Sequence, residues 1–213
     1  MVTRRNPGGP PTVAPGMGWY EQELGWPVTG TVPPGLVTGV RFDVLDAPAE
    51  AGFAMLGRFS RPGLLGPVAL EGHRIRLLVA AGSAEELPGL LEWLEWAGLG
   101  LDLAALGAGQ AMRAPAHPDW GRREAAYDRS APVWLRPPRP GLDVESTVPA
   151  LRLGGGAGQS DGAGAPIGLP ALVAALATAC HRIALRTRSQ DQPWAFSYAS
   201  RMVAGTRPRS LTS

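Results

Sequence analysis

The chain has 213 residues, 45% of them hydrophobic and 18% charged, enough for one domain with its own core. Its formal net charge is only +2 although it carries 20 basic residues, all arginine; that argues against a protein that binds nucleic acid over its whole surface. Cys180 is the only cysteine, which excludes internal disulfides and a zinc site built from several thiolates.

Residues 1–16 are rich in Pro and Gly, lack the apolar stretch of a signal peptide, and are expected to be a disordered N-terminus. A compact unit is expected over 17–138. Leu36 to Leu45 predicts a strand. Asp46 is placed to cap a helix that starts near Pro48, carries Ala51, Ala54, Met55 and Phe59, and stops at Pro62-Gly63. Pro67–Leu70 and Ile75–Val79 flank Glu71-Gly72-His73, which predicts a β-hairpin. Ser83-Ala84-Glu85-Glu86 has the form of a capping box and opens a helix with Leu87, Leu90, Leu91 and Leu94 on one face. Leu101–Leu103 and Gln110–Ala114 then predict two strands around Gly107-Ala108-Gly109.

Residues 139–168 have the composition of a Pro/Gly-rich linker; Gly154-Gly155-Gly156 lacks the flanking strand, helix and Lys of a phosphate loop. A C-terminal helical segment is expected over 169–213. Its main helix, Leu169 to Arg186, has the apolar stripe Leu172, Val173, Leu176, Cys180 and Ile183. A shorter helix over Pro193–Val203 and a basic tail follow. Strands alternating with helices give an α+β fold: a mixed sheet with packed helices, plus the C-terminal helical extension. No stretch approaches the roughly 20 apolar residues of a membrane helix, so no membrane partner and a cytoplasmic location are expected.

Cys180 lies on an apolar stripe, so a buried, inert thiol is expected rather than a nucleophile. His73, His117 and His181 have no metal-ligand spacing. Trp120 to Arg123, Tyr127 to Arg129 and Trp134 to Arg136 interleave aromatics with Arg. The better binding candidate is Trp194, Tyr198, Arg201, Arg207 and Arg209, which could stack on and neutralise single-stranded DNA or dock a protein partner.

Three segments, in order, carry a resemblance. They are Gly25-Trp26-Pro27-Val28; Thr38-Gly39 leading into Phe42-Asp43-Val44-Leu45-Asp46; and Leu101-Asp102-Leu103 followed by the glycine turn and Arg113-Ala114-Pro115. Over residues 17–138 the chain resembles the N-terminal domain of bacterial bifunctional DNA primase/polymerases. The resemblance implies a primase/polymerase-like fold. It also implies an Asp-x-Asp pair and a third Asp holding Mg²⁺ or Mn²⁺ for nucleotidyl transfer. Carried over, the catalytic set is Asp43, Asp46 and Asp102, the metal ligands are Asp43 and Asp102, and His73 is the nucleotide contact.

The chain departs from that pattern. Asp43 and Asp46 are three apart, and strand residues at that spacing face opposite sides. His73 falls in a turn, leaving Arg74 or Ile75 at the shifted position, and the stretch between Val28 and Val37 is short. The expectation is a primase/polymerase-like domain without polymerase activity and without a cofactor, acting in nucleic-acid or protein binding. The alternatives are an active primase/polymerase that uses Mg²⁺ or Mn²⁺, and an interaction module that kept only the fold.

Overall fold

The structure is a computed structural model that describes residues 17–61, 63–118, 130–151 and 166–190. Helix α1 (Met17–Gln22) is followed by β1 (Gly35–Val37), β2 (Asp43–Pro48), α2 (Ala49–Arg58), β3 (Val68–Glu71) and β4 (Arg74–Val79). Then come α3 (Ser83–Trp93), β5 (Ala104–Leu106), β6 (Ala111–Arg113), β7 (Val133–Arg136), the one-turn helix α4 (Val144–Thr147) and α5 (Leu169–Gln190).

The α+β class holds. The sheet, expected to be mixed, is antiparallel at every pairing: five strands in the order β5-β2-β4-β3-β7, with a separate two-stranded ribbon of β1 and β6. The expected long strand from Leu36 to Leu45 is two strands, because Gly39 turns the chain at φ +82° and a Cβ there would lie 2.3 Å from Ala108 Cα. The strand expected over Leu101–Leu103 does not form; the strand before the glycine turn is β5, and it does not pair with β6. β5 adds to β2 and β6 pairs with β1, and Asp102 lies just ahead of β5 rather than within a strand.

Strand periodicity divides the core into two layers. Leu45 and Ala47 of β2, with Ile75, Leu77 and Val79 of β4, meet α2, α3 and α5 on one face of the sheet. The close approach of α2 rests on Gly52, where a Cβ would sit 2.2 Å from Ile75 Cγ2. On the other face, Val44, Ala69 and Leu78 meet Trp19, Tyr20, Trp26, Phe42 and Met112. Tyr20 ties this layer together: its hydroxyl donates to Pro115 O (2.6 Å) and accepts from Trp134 Nε1 (2.8 Å). Burial, opposed by the Trp134 hydrogen bond, raises its phenol pKa well above the ordinary value.

The boundaries expected at 138/139 and 168/169 do not separate packing units. Val144 and Val148 are buried in the second layer, while Leu169, Leu172, Val173, Leu176 and Cys180 complete the first. Helix α5 is long and apolar enough, by length and composition, to cross a membrane. Its apolar stripe is spent on the sheet and on α2 and α3, so the helix is no strong sign of membrane association.

Candidate functional site

Strand β2 separates the two carboxylates of the first acidic segment. Asp43 shares a face with Leu45 and Ala47 and is fully buried on the helix side. Asp46 is on the opposite face. The physical cause is the one anticipated from spacing: a strand turns its side chains over at every residue.

Asp43 has a structural partner. Its Oδ2 accepts the Ala84 N–H of α3 at 2.9 Å. The sequence assigns that role to Ser83 in a capping box; instead α3 has Gly82 at its N-cap, no local side-chain cap, and an acceptor delivered from β2. Asp43 thus replaces the local cap through a tertiary contact. Burial raises its carboxyl pKa, helped by the nearby Glu85 and opposed by the amides of Ala84, Gly82 and Gly39. Its Oδ1 is buried and has no hydrogen-bond partner among the described residues.

Asp46 was expected to cap α2 and does not. Pro48 occupies the N-cap, with no side-chain cap bond. The Asp46 carboxylate is held across the sheet by β4: Arg74 Nε donates to Oδ1 at 2.6 Å and Arg76 Nε to Oδ2 at 3.3 Å. Arg74 also donates from Nη1 to Asp102 Oδ1 at 2.7 Å. Burial pulls the Arg74 pKa down, but the hydrogen bonds to Asp102 and Asp46 outweigh it and leave the guanidinium more firmly protonated than usual.

The network extends along the same face. Arg76 pairs with Glu71 of β3, and Arg113 of β6 donates to the other Glu71 oxygen at 3.2 Å. Asp46, Arg76 and Glu71 have side chains only 14%, 16% and 18% exposed. Asp46, Glu71 and Asp102 balance the charges of Arg74, Arg76 and Arg113. Half of this sheet face is therefore apolar core, and the other half is a charge-matched ionic cluster.

The structure thus brings Asp46 and Asp102 together, with a guanidinium between them, and keeps Asp43 away. A divalent cation needs several oxygens converging at roughly 2.0–2.6 Å. Here the facing oxygens of Asp46 and Asp102 already accept from Arg74, and Asp43 lies on the far side of the sheet. Among the described residues no group of three or more His, Cys, Asp or Glu side chains converges. The metal set of Asp43 and Asp102 implied by the resemblance does not fit this arrangement.

His73 is exposed in the β3–β4 turn, where its carbonyl accepts the Ala49 N–H. Cys180 is buried; its Sγ lies 3.6 Å from Asp102 O, and burial, reinforced by the Asp102 charge and opposed by Arg74, pushes the thiol pKa up to about 11. That is an inert environment for a thiol. His181 lies beside the Trp96 ring, with centroids 5.5 Å apart. Trp194, Tyr198, Arg201, Arg207 and Arg209 lie outside the described residues, as do Trp120 to Arg123 and Tyr127 to Arg129.

Reading for chemistry alone passes over Arg76, Glu71 and Arg113. A signal was available: Arg74-Ile75-Arg76 alternates with strand period, so an apolar-in strand must place both guanidiniums on one face, across from whatever acid β2 presents there. Comparison with family models, with curated proteins and with solved structures finds no match to this chain.

Proposed function

We propose that the chain is a primase/polymerase-like domain that has given up nucleotidyl transfer and works by binding. The supporting observation is the Arg74 bridge. Where the resemblance puts a divalent cation between the first and third acidic segments, a guanidinium spans Asp46 and Asp102. A tethered cation neutralises the carboxylates but cannot polarise a triphosphate and an attacking hydroxyl together, as metal ions do. In this reading the protein is cytoplasmic and needs neither Mg²⁺ nor Mn²⁺. Its partner is single-stranded DNA or another protein. The ionic cluster is charge-matched, so contacts to a phosphate backbone fall to the Arg- and aromatic-bearing C-terminal segment.

A primer-extension assay with Mg²⁺ or Mn²⁺ tests the first part, with Asp102→Ala as control. No incorporation is expected; incorporation that Asp102→Ala abolishes would establish an active polymerase instead. Single-stranded DNA titrations at stepped salt test the second part. Affinity that falls steeply with salt supports a nucleic-acid partner, whereas absence of binding at low salt assigns the domain to protein partners.

A further inference from the structure

Outside the ionic cluster, at the β7 edge of the sheet, lies a cleft of about 350 Å³. Its accessible apolar surface comes from Leu142, 50% exposed, and the half-buried Leu24, backed by Trp26 and Val144, which are 2% and 3% exposed. Gly66 lets the wall close: a Cβ there would lie 2.7 Å from Val148 Cγ1, so a larger residue would push the 144–148 segment away from β3. Arg136 and Arg139 bring two guanidiniums to the same cleft, and no described lining residue is acidic.

Like the exposed Arg58, Arg61, Arg182 and Arg188, these two arginines have no carboxylate partner among the described residues, but they alone share a cleft. Arg41, Arg74, Arg76, Arg113 and Arg186 each pair with a carboxylate. Arg136 instead donates from Nη1 to the Leu65 carbonyl at 3.0 Å, which fixes the guanidinium without neutralising it. A guanidinium has five N–H donors, so most of its capacity remains. The Arg139 side chain is exposed and has no carboxylate within ion-pair distance among the described residues. On the facing wall the Ser146 and Thr147 hydroxyls donate to the Asp143 and Val144 carbonyls. Their protons are committed, so toward the cleft they act as acceptors.

We infer that this cleft is a binding site for a small organic anion: a phosphate or carboxylate held by Arg136 and Arg139, on a carbon body that covers the apolar wall. The volume is at the lower end of the range for small-molecule sites, roughly 300–1,000 Å³. An apolar body alone would leave the two cations unmatched. An inorganic anion alone would leave the accessible faces of Leu24 and Leu142 wet. The pairing of both features selects an amphipathic anion, and the acceptor hydroxyls favour one that also carries a donor. This inference does not rest on the resemblance or on the Asp46–Arg74–Asp102 geometry.

The test is titration of the full chain, followed by calorimetry and by the NMR signal of the Trp26 indole N–H. Four probes are used: adenosine monophosphate, indole-3-acetate, adenosine and inorganic phosphate. The first two are the phosphate and carboxylate sources of the same chemistry, and whichever saturates at lower concentration identifies the source. The second two are the body without the charge and the charge without the body. Saturable binding of adenosine monophosphate or indole-3-acetate below about 10 mM is expected, tighter than either half alone. Arg139→Ala should weaken it about two- to fivefold, the size of one solvent-exposed charge-assisted contact. Arg139 supports no described carboxylate contact, so this variant should keep the wild-type melting temperature, and Asp102→Ala should bind as the wild type does. If neither organic anion saturates, if the uncharged or inorganic half binds as tightly as the whole, or if Arg139→Ala binds equally well, the site is not an anion site and the inference fails.

Discussion

Replacing Arg74 with alanine probes the feature on which the functional reading turns. Arg74 and Asp46 meet at 2.6 Å with side chains 24% and 14% exposed. A charge-assisted hydrogen bond at that depth contributes about 1.5–3 kcal/mol. Asp102 is 68% exposed, so its arm is largely screened and adds at most about 0.5 kcal/mol. Loss of Arg74 does not orphan Asp46, because Arg76 Nε remains 3.3 Å away. The expected cost is therefore about 2 kcal/mol rather than the larger penalty of a stranded buried charge. For a chain of this size that lowers Tm by about 4–8 °C. Double-mutant cycles from urea unfolding separate the two arms: Arg74 with Asp46 should couple by about 1 kcal/mol or more, and Arg74 with Asp102 by less than about 0.5 kcal/mol. A variant as stable as the wild type, or stronger coupling to Asp102 than to Asp46, would refute the view that Arg74 is anchored by the buried carboxylate.

Other substitutions test the two core layers. Tyr20→Phe removes the donor to Pro115 O and the acceptor for Trp134 Nε1 and should cost about 1–3 kcal/mol in urea unfolding; a neutral effect would mean that water replaces both bonds. Asp43→Ala should destabilise by about 1–2 kcal/mol, since it leaves the Ala84 N–H at the start of α3 without its acceptor. The pH dependence of Asp43 has a definite sign. Its pKa is raised in the folded state, so folding favours the protonated form. Its contribution is most favourable in acid and is lost as pH rises through the folded pKa, beginning near the ordinary value of about 4. Asp43→Asn should flatten the stability-versus-pH curve over that range, and an unchanged slope would assign it to other groups. Gly52→Ala puts a methyl against Ile75 and should cost about 1–3 kcal/mol through overpacking, read as a lower urea midpoint at constant m. Cys180, 3% exposed with a pKa of about 11, should resist iodoacetamide in the native protein and react only at the rate of unfolding; rapid native labelling would show that α5 opens locally.

Periodicity made much of this fold legible and long-range pairing concealed the rest. The β3–β4 hairpin and the apolar stripes of α3 and α5 fall where the spacing places them, because each is a local signal. The partnering of β5 with β2, and of β6 with β1, was hidden: the glycine turn between β5 and β6 suggests a hairpin, and only the packed sheet decides otherwise. The candidate site divides along the same line. That Asp43 and Asp46 oppose each other follows from a spacing of three on a strand, whereas what each carboxylate does there depends on residues brought in from a distance. Asp43 serves α3 from 41 positions away in sequence, and Asp46 is held by Arg74 28 positions on. Local pattern assigns Asp46 a nearby helix to cap, and that assignment gives way to arginines that only the antiparallel register of β2 and β4 brings alongside. The same register sets Arg74 where its guanidinium reaches Asp46 and Asp102 at once. A cation site shared by those carboxylates and a fixed arginine between them are mutually exclusive uses of the same oxygens.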